Sequence, residues 1–150
     1  MEYRIDEKDR KILDVLREHG EFTTRQISKK TLLPPTTIHN RIKTMKREGL
    51  ISKYTIEVDN KKTGKGLLVY ILISANLGML KAKNKSQYDI SKELKRFSFV
   101  ERVDIVSGGT DLVAMVRAKD VEEYDRMLLE KIQMIEGIEN TQSLIVLHGD

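Results

Sequence analysis

Apolar positions recur at helical spacing over the first third of the chain and then settle into alternation. Ile12, Leu13 and Leu16 make the inner stripe of a first helix, which Asp6 can cap and Gly20 stops. Thr23 followed by Gln26 is a capping-box pattern that opens a short second helix through Lys30, with Ile27 facing inward. Leu33-Pro34-Pro35 then breaks the chain. Pro35 suits the first turn of a third helix, where its missing N–H has no intrahelical role. That helix is expected to run to about Glu48, with Gly49 as its cap.

Tyr54, Ile56 and Val58 alternate as in a half-buried strand over residues 51–58. Residues 60–66 are polar and glycine-containing, the best hinge in the chain. Strand and helix patterns then take turns. A strand is expected at 67–75 and a helix at 87–97, where Ile90, Leu94 and Phe97 have helical spacing. Strands at 100–106 and 111–118 are joined through Gly108-Gly109 as a hairpin. A helix at 121–136 places Val121, Tyr124, Leu128, Ile132 and Ile135 inside, and a strand at 138–147 closes the series. Residues 77–86, rich in lysine, read as a long connecting loop. The fold class is therefore α+β: a (winged) helix-turn-helix domain at 1–59, a hinge at 60–66, and a ferredoxin-like βαββαβ sandwich at 67–150.

Charge sharpens this picture. The whole chain of 150 residues carries a net +4, but residues 22–66 hold 11 Lys and Arg against 3 Asp and Glu. Residues 67–150 hold 11 against 13. Positive charge concentrated in one segment attracts a polyanion, nucleic acid first and an acidic membrane surface second. Charged residues are 33% of the chain and its longest apolar run, 66–75, falls far short of the roughly 20 residues needed to cross a bilayer. No signal-peptide pattern opens the chain, and cysteine is absent, which excludes disulfides and thiolate metal sites and favours a cytoplasmic location.

On the third helix, Ile38, Ile42 and Met45 share one face and the opposite face presents Thr36, Thr37, Asn40, Lys43, Thr44 and Arg47, with Arg41 at its margin. No acidic side chain interrupts it before Glu48. Asn can pair with adenine and Arg with guanine in the major groove, and Thr and Lys can reach base edges or phosphates. Lys29, Lys30 and Lys53 are candidates for the phosphate backbone. The expected partner is double-stranded DNA.

In this order of segments the chain resembles the Lrp/AsnC, or feast/famine, family of transcription regulators. The resemblance runs through Ile5-Asp6-Glu7-Lys8-Asp9-Arg10-Lys11-Ile12-Leu13, Pro35-Thr36-Thr37-Ile38-His39-Asn40-Arg41-Ile42, Glu48-Gly49-Leu50-Ile51 and Tyr54-Thr55-Ile56-Glu57-Val58-Asp59. It continues through Val106-Ser107-Gly108-Gly109-Thr110-Asp111-Leu112-Val113 and Thr141-Gln142-Ser143-Leu144-Ile145-Val146-Leu147. The resemblance implies a homodimer through the ferredoxin-like domains, often assembled into octamers, and amino-acid effectors bound between those domains. It makes Gly108, Gly109, Thr110 and Asp111 effector candidates: two glycines admit a ligand carboxylate to the backbone amides, and Asp111 can hold an α-ammonium. Thr141 and Ser143 join them from the last strand. The same residues are also ordinary turn and strand residues. The chain departs from the family in having Leu32 where a turn glycine is usual and Pro34 where a serine cap is usual, and in the length of 77–86.

His19, His39 and His148 are scattered, without metal-ligand spacing, and no Walker loop or nucleophile elbow is present, so neither a metal, a cofactor nor an enzymatic site is expected. Two further readings remain open: an architectural protein coating DNA with little sequence preference, and a ligand-sensing adaptor that does not bind DNA.

Overall fold

The computed structural model describes residues 3–149. The chain divides into two compact units between Val58 and Asp59.

The first unit holds α1 (Glu7–Glu18), α2 (Thr24–Thr31) and α3 (Pro35–Arg47). Each of the first two begins with a reciprocal cap. Asp6 Oδ1 accepts from the Asp9 N–H at 3.0 Å while the Asp6 N–H donates to Asp9 Oδ2 at 3.1 Å. Thr23 and Gln26 do the same for α2. Helix α3 has no side-chain cap, because Pro34 occupies that position. Ile12, Ile27, Ile38 and Met45 are fully buried, with Leu16, Phe22, Leu33, Ile42 and Ile51 packed against them. Each such burial stabilises the fold by about 1.5–3 kcal/mol.

Two expectations change here. Helix α3 ends at Arg47 with Glu48 as its cap, and Gly49 follows with a φ of +75°. The expected strand at 51–58 is not formed among the described residues; Tyr54 and Val58 are about half-buried, at 47% and 42% exposed, while Ile56 is 81% exposed. Alternation specifies a two-faced segment, but a strand also needs a ladder from a neighbour, and no strand lies beside this segment in the first unit.

The second unit opens with a turn over 60–64 in which Asp59 Oδ1 accepts from the Lys61 N–H at 3.1 Å. It then runs β1 (Leu67–Ala75), α4 (Leu77–Ala82), α5 (Gln87–Leu94), β2 (Val100–Ile105), β3 (Leu112–Ala118), α6 (Val121–Met127) and β4 (Ile138–Ile145). The four strands form one antiparallel sheet in the order β2-β3-β1-β4, the βαββαβ sandwich that the pattern predicts. Val69, Ile71 and Ile73 of β1 and Leu112, Ala114 and Val116 of β3 point to the helical layer and are fully buried with Leu80, Ile90, Leu94 and Ile132. The opposite sheet face presents Leu68, Tyr70 and Leu72, flanked by Val113, Met115 and Leu144 in register, and none of these is fully buried.

Residues 77–86 are not a plain loop. Asn76 Oδ1 accepts from the Met79 N–H at 2.9 Å and caps α4, whose Leu80 enters the core. Lysines mask this apolar anchor in the sequence. Gly137 sits against it with a φ of +95°, and a Cβ there would meet Leu80 Cδ2 at 2.5 Å. The helix expected at 121–136 also changes character. After Met127 it widens into a π turn, Leu128–Ile132, with the Gln133 N–H donating to the Leu128 carbonyl at 2.9 Å. The extra residue in that turn brings Ile132 round to the side of Tyr124, and both are buried. Val121 is exposed rather than inside, because Asp120 caps the helix and leaves Val121 as the first residue of its open end.

Candidate nucleic-acid interface and effector site

Helices α2 and α3 are joined by a turn that Leu32 makes possible by adopting a left-handed conformation, φ 58° and ψ 23°. The turn is tied by the Ser28 hydroxyl donating to the Leu33 carbonyl at 2.6 Å and the Thr31 hydroxyl donating to the Ile27 carbonyl at 2.8 Å. This connection sets α3 across the domain with Ile38, Ile42 and Met45 inward. Thr36, Asn40, Lys43 and Arg47 are exposed; Thr37 and Thr44 lie half-buried on one flank. Lys29, Lys30 and Lys53 are exposed. Arg47 Nε reaches the neighbouring Glu48 at 2.9 Å, a surface pair that constrains it little.

Arg41 behaves differently from its expected neighbours. Its Nη1 donates to both carboxylate oxygens of Asp6, the cap of α1, at 2.7 Å and to Asp9 Oδ1 in its first turn at 2.9 Å. The two carboxylates raise the guanidinium's pKa. The Asp9 N–H and then Arg41 hold the Asp6 carboxyl below its ordinary value. Burial chiefly, and then its hydrogen bond to Asp9, push the Tyr3 phenol up. Its spacing allows this: Arg41 stands three residues after Ile38 and four before Met45, and also four after Thr37 and three before Thr44, on the flank between the inner and outer faces. Asp9, the residue it meets, was missed because an acid in a first helical turn ordinarily serves only the cap.

In the second unit, Ser107, Gly108, Gly109 and Thr110 form the β2–β3 connection, closed by the Val106 N–H donating to the Asp111 carbonyl at 2.9 Å. Gly108 has a φ of +134°, and neither glycine has an atom within 4 Å of a built Cβ, so their backbone is open to approach. Asp111 Oδ2 accepts from the Ala75 N–H at 2.8 Å, which ties the connection to the end of β1. Ile73 pairs with Leu112 on one side and Thr141 on the other, so Asp111 and Thr141 lie at the same end of the sheet, flanking β1. Thr141 accepts from Gln133 at 2.8 Å. Ser143 lies further in, with its hydroxyl 2.5 Å from that of Tyr124. The structure thus groups the Gly108–Asp111 connection with Thr141 and sets Ser143 apart.

No group of three or more His, Cys, Asp or Glu is placed to hold a metal among the described residues. None of the described helices is long and apolar enough to cross a membrane.

A three-helix unit whose third helix carries no acidic residue is followed by an antiparallel βαββαβ sandwich, and likeness to known proteins gives this arrangement its class. Residues 5–52 match the model of winged helix-turn-helix DNA-binding domains, and residues 71–149 match that of the Lrp/AsnC ligand binding domain. The chain belongs to the Lrp/AsnC family, whose members are transcription regulators and not enzymes. It is 33% identical over 143 residues to the HTH-type transcriptional regulator FL11 of Pyrococcus furiosus, covering 95% of this chain and 89% of that one. The structure of AsnC from E. coli superposes with a TM-score of 0.84 at 28% identity, over 98% of this chain and 95% of that one. A transcriptional regulator of Neisseria meningitidis, solved as an L-Met complex, gives 0.88 at 25% identity, over 97% and 91%.

Proposed function

We propose that the protein is a sequence-specific DNA-binding regulator in the cytoplasm, whose assembly or DNA affinity is tuned by an amino acid or a related small molecule. The observation that carries this reading is the outer face of α3. Thr36, Asn40, Lys43 and Arg47 are exposed together on it, and none of them is acidic. Asn40 and Arg47 supply base-reading groups, while Lys43, Thr37 and Thr44 serve its edges. Lys29, Lys30 and Lys53 take phosphates. Residues 1–59 form the DNA-binding domain, 60–66 the hinge, and 67–150 the effector and assembly domain, its outermost residues 1, 2 and 150 lying outside the described range.

The uncovered sheet face of Leu68, Tyr70, Leu72, Val113, Met115 and Leu144 supports a homodimer, in which each copy shields the other's apolar surface. Dimers assemble further into an octamer or another closed oligomer. The effector's carboxylate meets the open backbone at Gly108, Gly109 and Thr110, and its ammonium meets Asp111, with Thr141 alongside and Ser143 behind. The L-Met complex of the Neisseria meningitidis regulator supports this ligand class.

The test is selection from random DNA duplexes, with and without each of the twenty amino acids. The reading expects an enriched motif with half-sites about one helical turn, or a multiple of it, apart. It also expects at least one amino acid to change the enrichment. Retention of all duplexes alike would leave an architectural protein instead, and no retention an adaptor without DNA.

A further inference from the structure

Asp9 is the one fully buried charged side chain among the described residues, 1% exposed. Burying a carboxylate is costly unless its oxygens are paired and hydrogen-bonded. Here they are. Oδ2 accepts from the Tyr3 hydroxyl at 2.8 Å and the Asp6 N–H at 3.1 Å, and Oδ1 accepts from Arg41 at 2.9 Å. Arg41 is at the same time forked onto Asp6. The network therefore joins the first turn of α1 to the middle of α3. Elsewhere α3 is held by aliphatic contacts from Ile38, Ile42 and Met45. Aliphatic contacts are non-directional, so they do not by themselves select one rotational setting of a helix. A roll of α3 about its own axis by about 20° would carry side-chain tips at a radius of roughly 5–6 Å through about 2 Å. Hydrogen bonds to a base edge do not survive such a displacement, whereas attraction to phosphates does.

We infer that Tyr3, Asp6, Asp9 and Arg41 form a clamp that fixes the rotational setting of α3, so that Arg41 acts on DNA specificity as a positioning residue and not as a contact. The inference rests on the reading of α3 as the DNA-recognition helix. Asn40, adjacent to Arg41 in sequence, inherits its placement directly. Of the three charges only Asp9 is fully buried, while Arg41 and Asp6 remain partly exposed, so the network reaches from the domain interior to its surface.

The experiment uses the full chain, a duplex selected from a random pool by the wild-type protein, and a shuffled duplex of the same composition. Affinities are measured by fluorescence anisotropy at several salt concentrations, at a temperature where melting curves show each variant folded. Asp9→Asn and Arg41→Gln should each lower the ratio of selected to shuffled affinity about tenfold, the worth of a lost base contact. Shuffled affinity and the salt slope should stay the same. The double variant should be no worse than Arg41→Gln alone, since both break one network. Tyr3→Phe keeps every charge and should lower the ratio by a smaller factor. The clamp is overturned if Arg41→Gln reduces the salt slope by about one, which marks a phosphate contact. An unchanged ratio in Asp9→Asn, or additivity in the double variant, also overturns it. Should Asp9→Asn not fold, an unchanged ratio in Tyr3→Phe decides against the clamp. If the wild type selects no duplex, the recognition reading itself fails and the clamp with it.

Discussion

Leu32 carries a strain that a single substitution should release. Its φ of 58° lies in the left-handed region, and its side chain is 89% exposed. A Cβ in that region costs about 1–2 kcal/mol. Almost no apolar burial is gained in return, because the side chain stands in solvent. Leu32→Gly removes the strain but adds unfolded-state freedom worth about 0.4–1 kcal/mol. The net expectation is a stabilisation of about 0.5–1 kcal/mol. For a unit of this size that is a rise of about 2–8 °C in Tm. Differential scanning calorimetry on the full chain reads it as an upward shift in the transition of the first unit. Leu32→Ala is the control, since it keeps the Cβ and hence the strain, and it should leave Tm close to that of wild type. Equal stabilisation by alanine and glycine, or a loss of stability with glycine, would refute the argument from backbone strain.

Three other outcomes follow from particular contacts. Lys83 and Lys85 together hold the Glu136 carboxyl down to about 2 from an ordinary 4.5. A depressed carboxylate stabilises the fold above its unfolded value and loses that contribution as pH falls through its folded value. Glu136→Gln should therefore flatten the fall in Tm between about pH 4.5 and 2, read by thermal melts across that window. Tyr70→Glu places an unpaired charge between Met115 and Leu144 on the uncovered sheet face; light scattering at micromolar concentration should change from dimer or larger to monomer. Asp111→Asn keeps an acceptor for the Ala75 N–H but removes the charge; calorimetric titration should lose amino-acid binding while the melting temperature and effector-free DNA binding stay the same.

Much of this architecture was legible because local signals agreed with the fold. Asp6 and the Thr23–Gln26 pair start helices where the sequence places them. The run at 67–75 is a strand with those bounds, buried on one face by helices. The misreadings arose where one residue answers to something distant. Arg41 stands at the margin of the outer face, and what its spacing cannot show is that two carboxylates far back in the sequence pair with it. Lysines at 81, 83 and 85 obscured the capped helix that Leu80 anchors. Alternation at 54, 56 and 58 gave the faces of a strand but could not say what would pair with it. Thr141 and Ser143 were equivalent on paper, and only the register shows that one lies at the sheet end with Asp111 while the other sits beneath Tyr124.

The central claim is that the exposed face of α3 reads DNA. Its most direct test is the affinity of an Asn40→Ala/Lys43→Ala/Arg47→Ala variant for a duplex selected by the wild-type protein, beside a shuffled duplex. All three residues are exposed, so the melting temperature should not move. The account predicts a loss of at least about 30-fold on the selected duplex and a much smaller loss on the shuffled one, from removed base contacts worth about 1–3 kcal/mol each. Undiminished affinity for the selected duplex in a folded triple variant would contradict it.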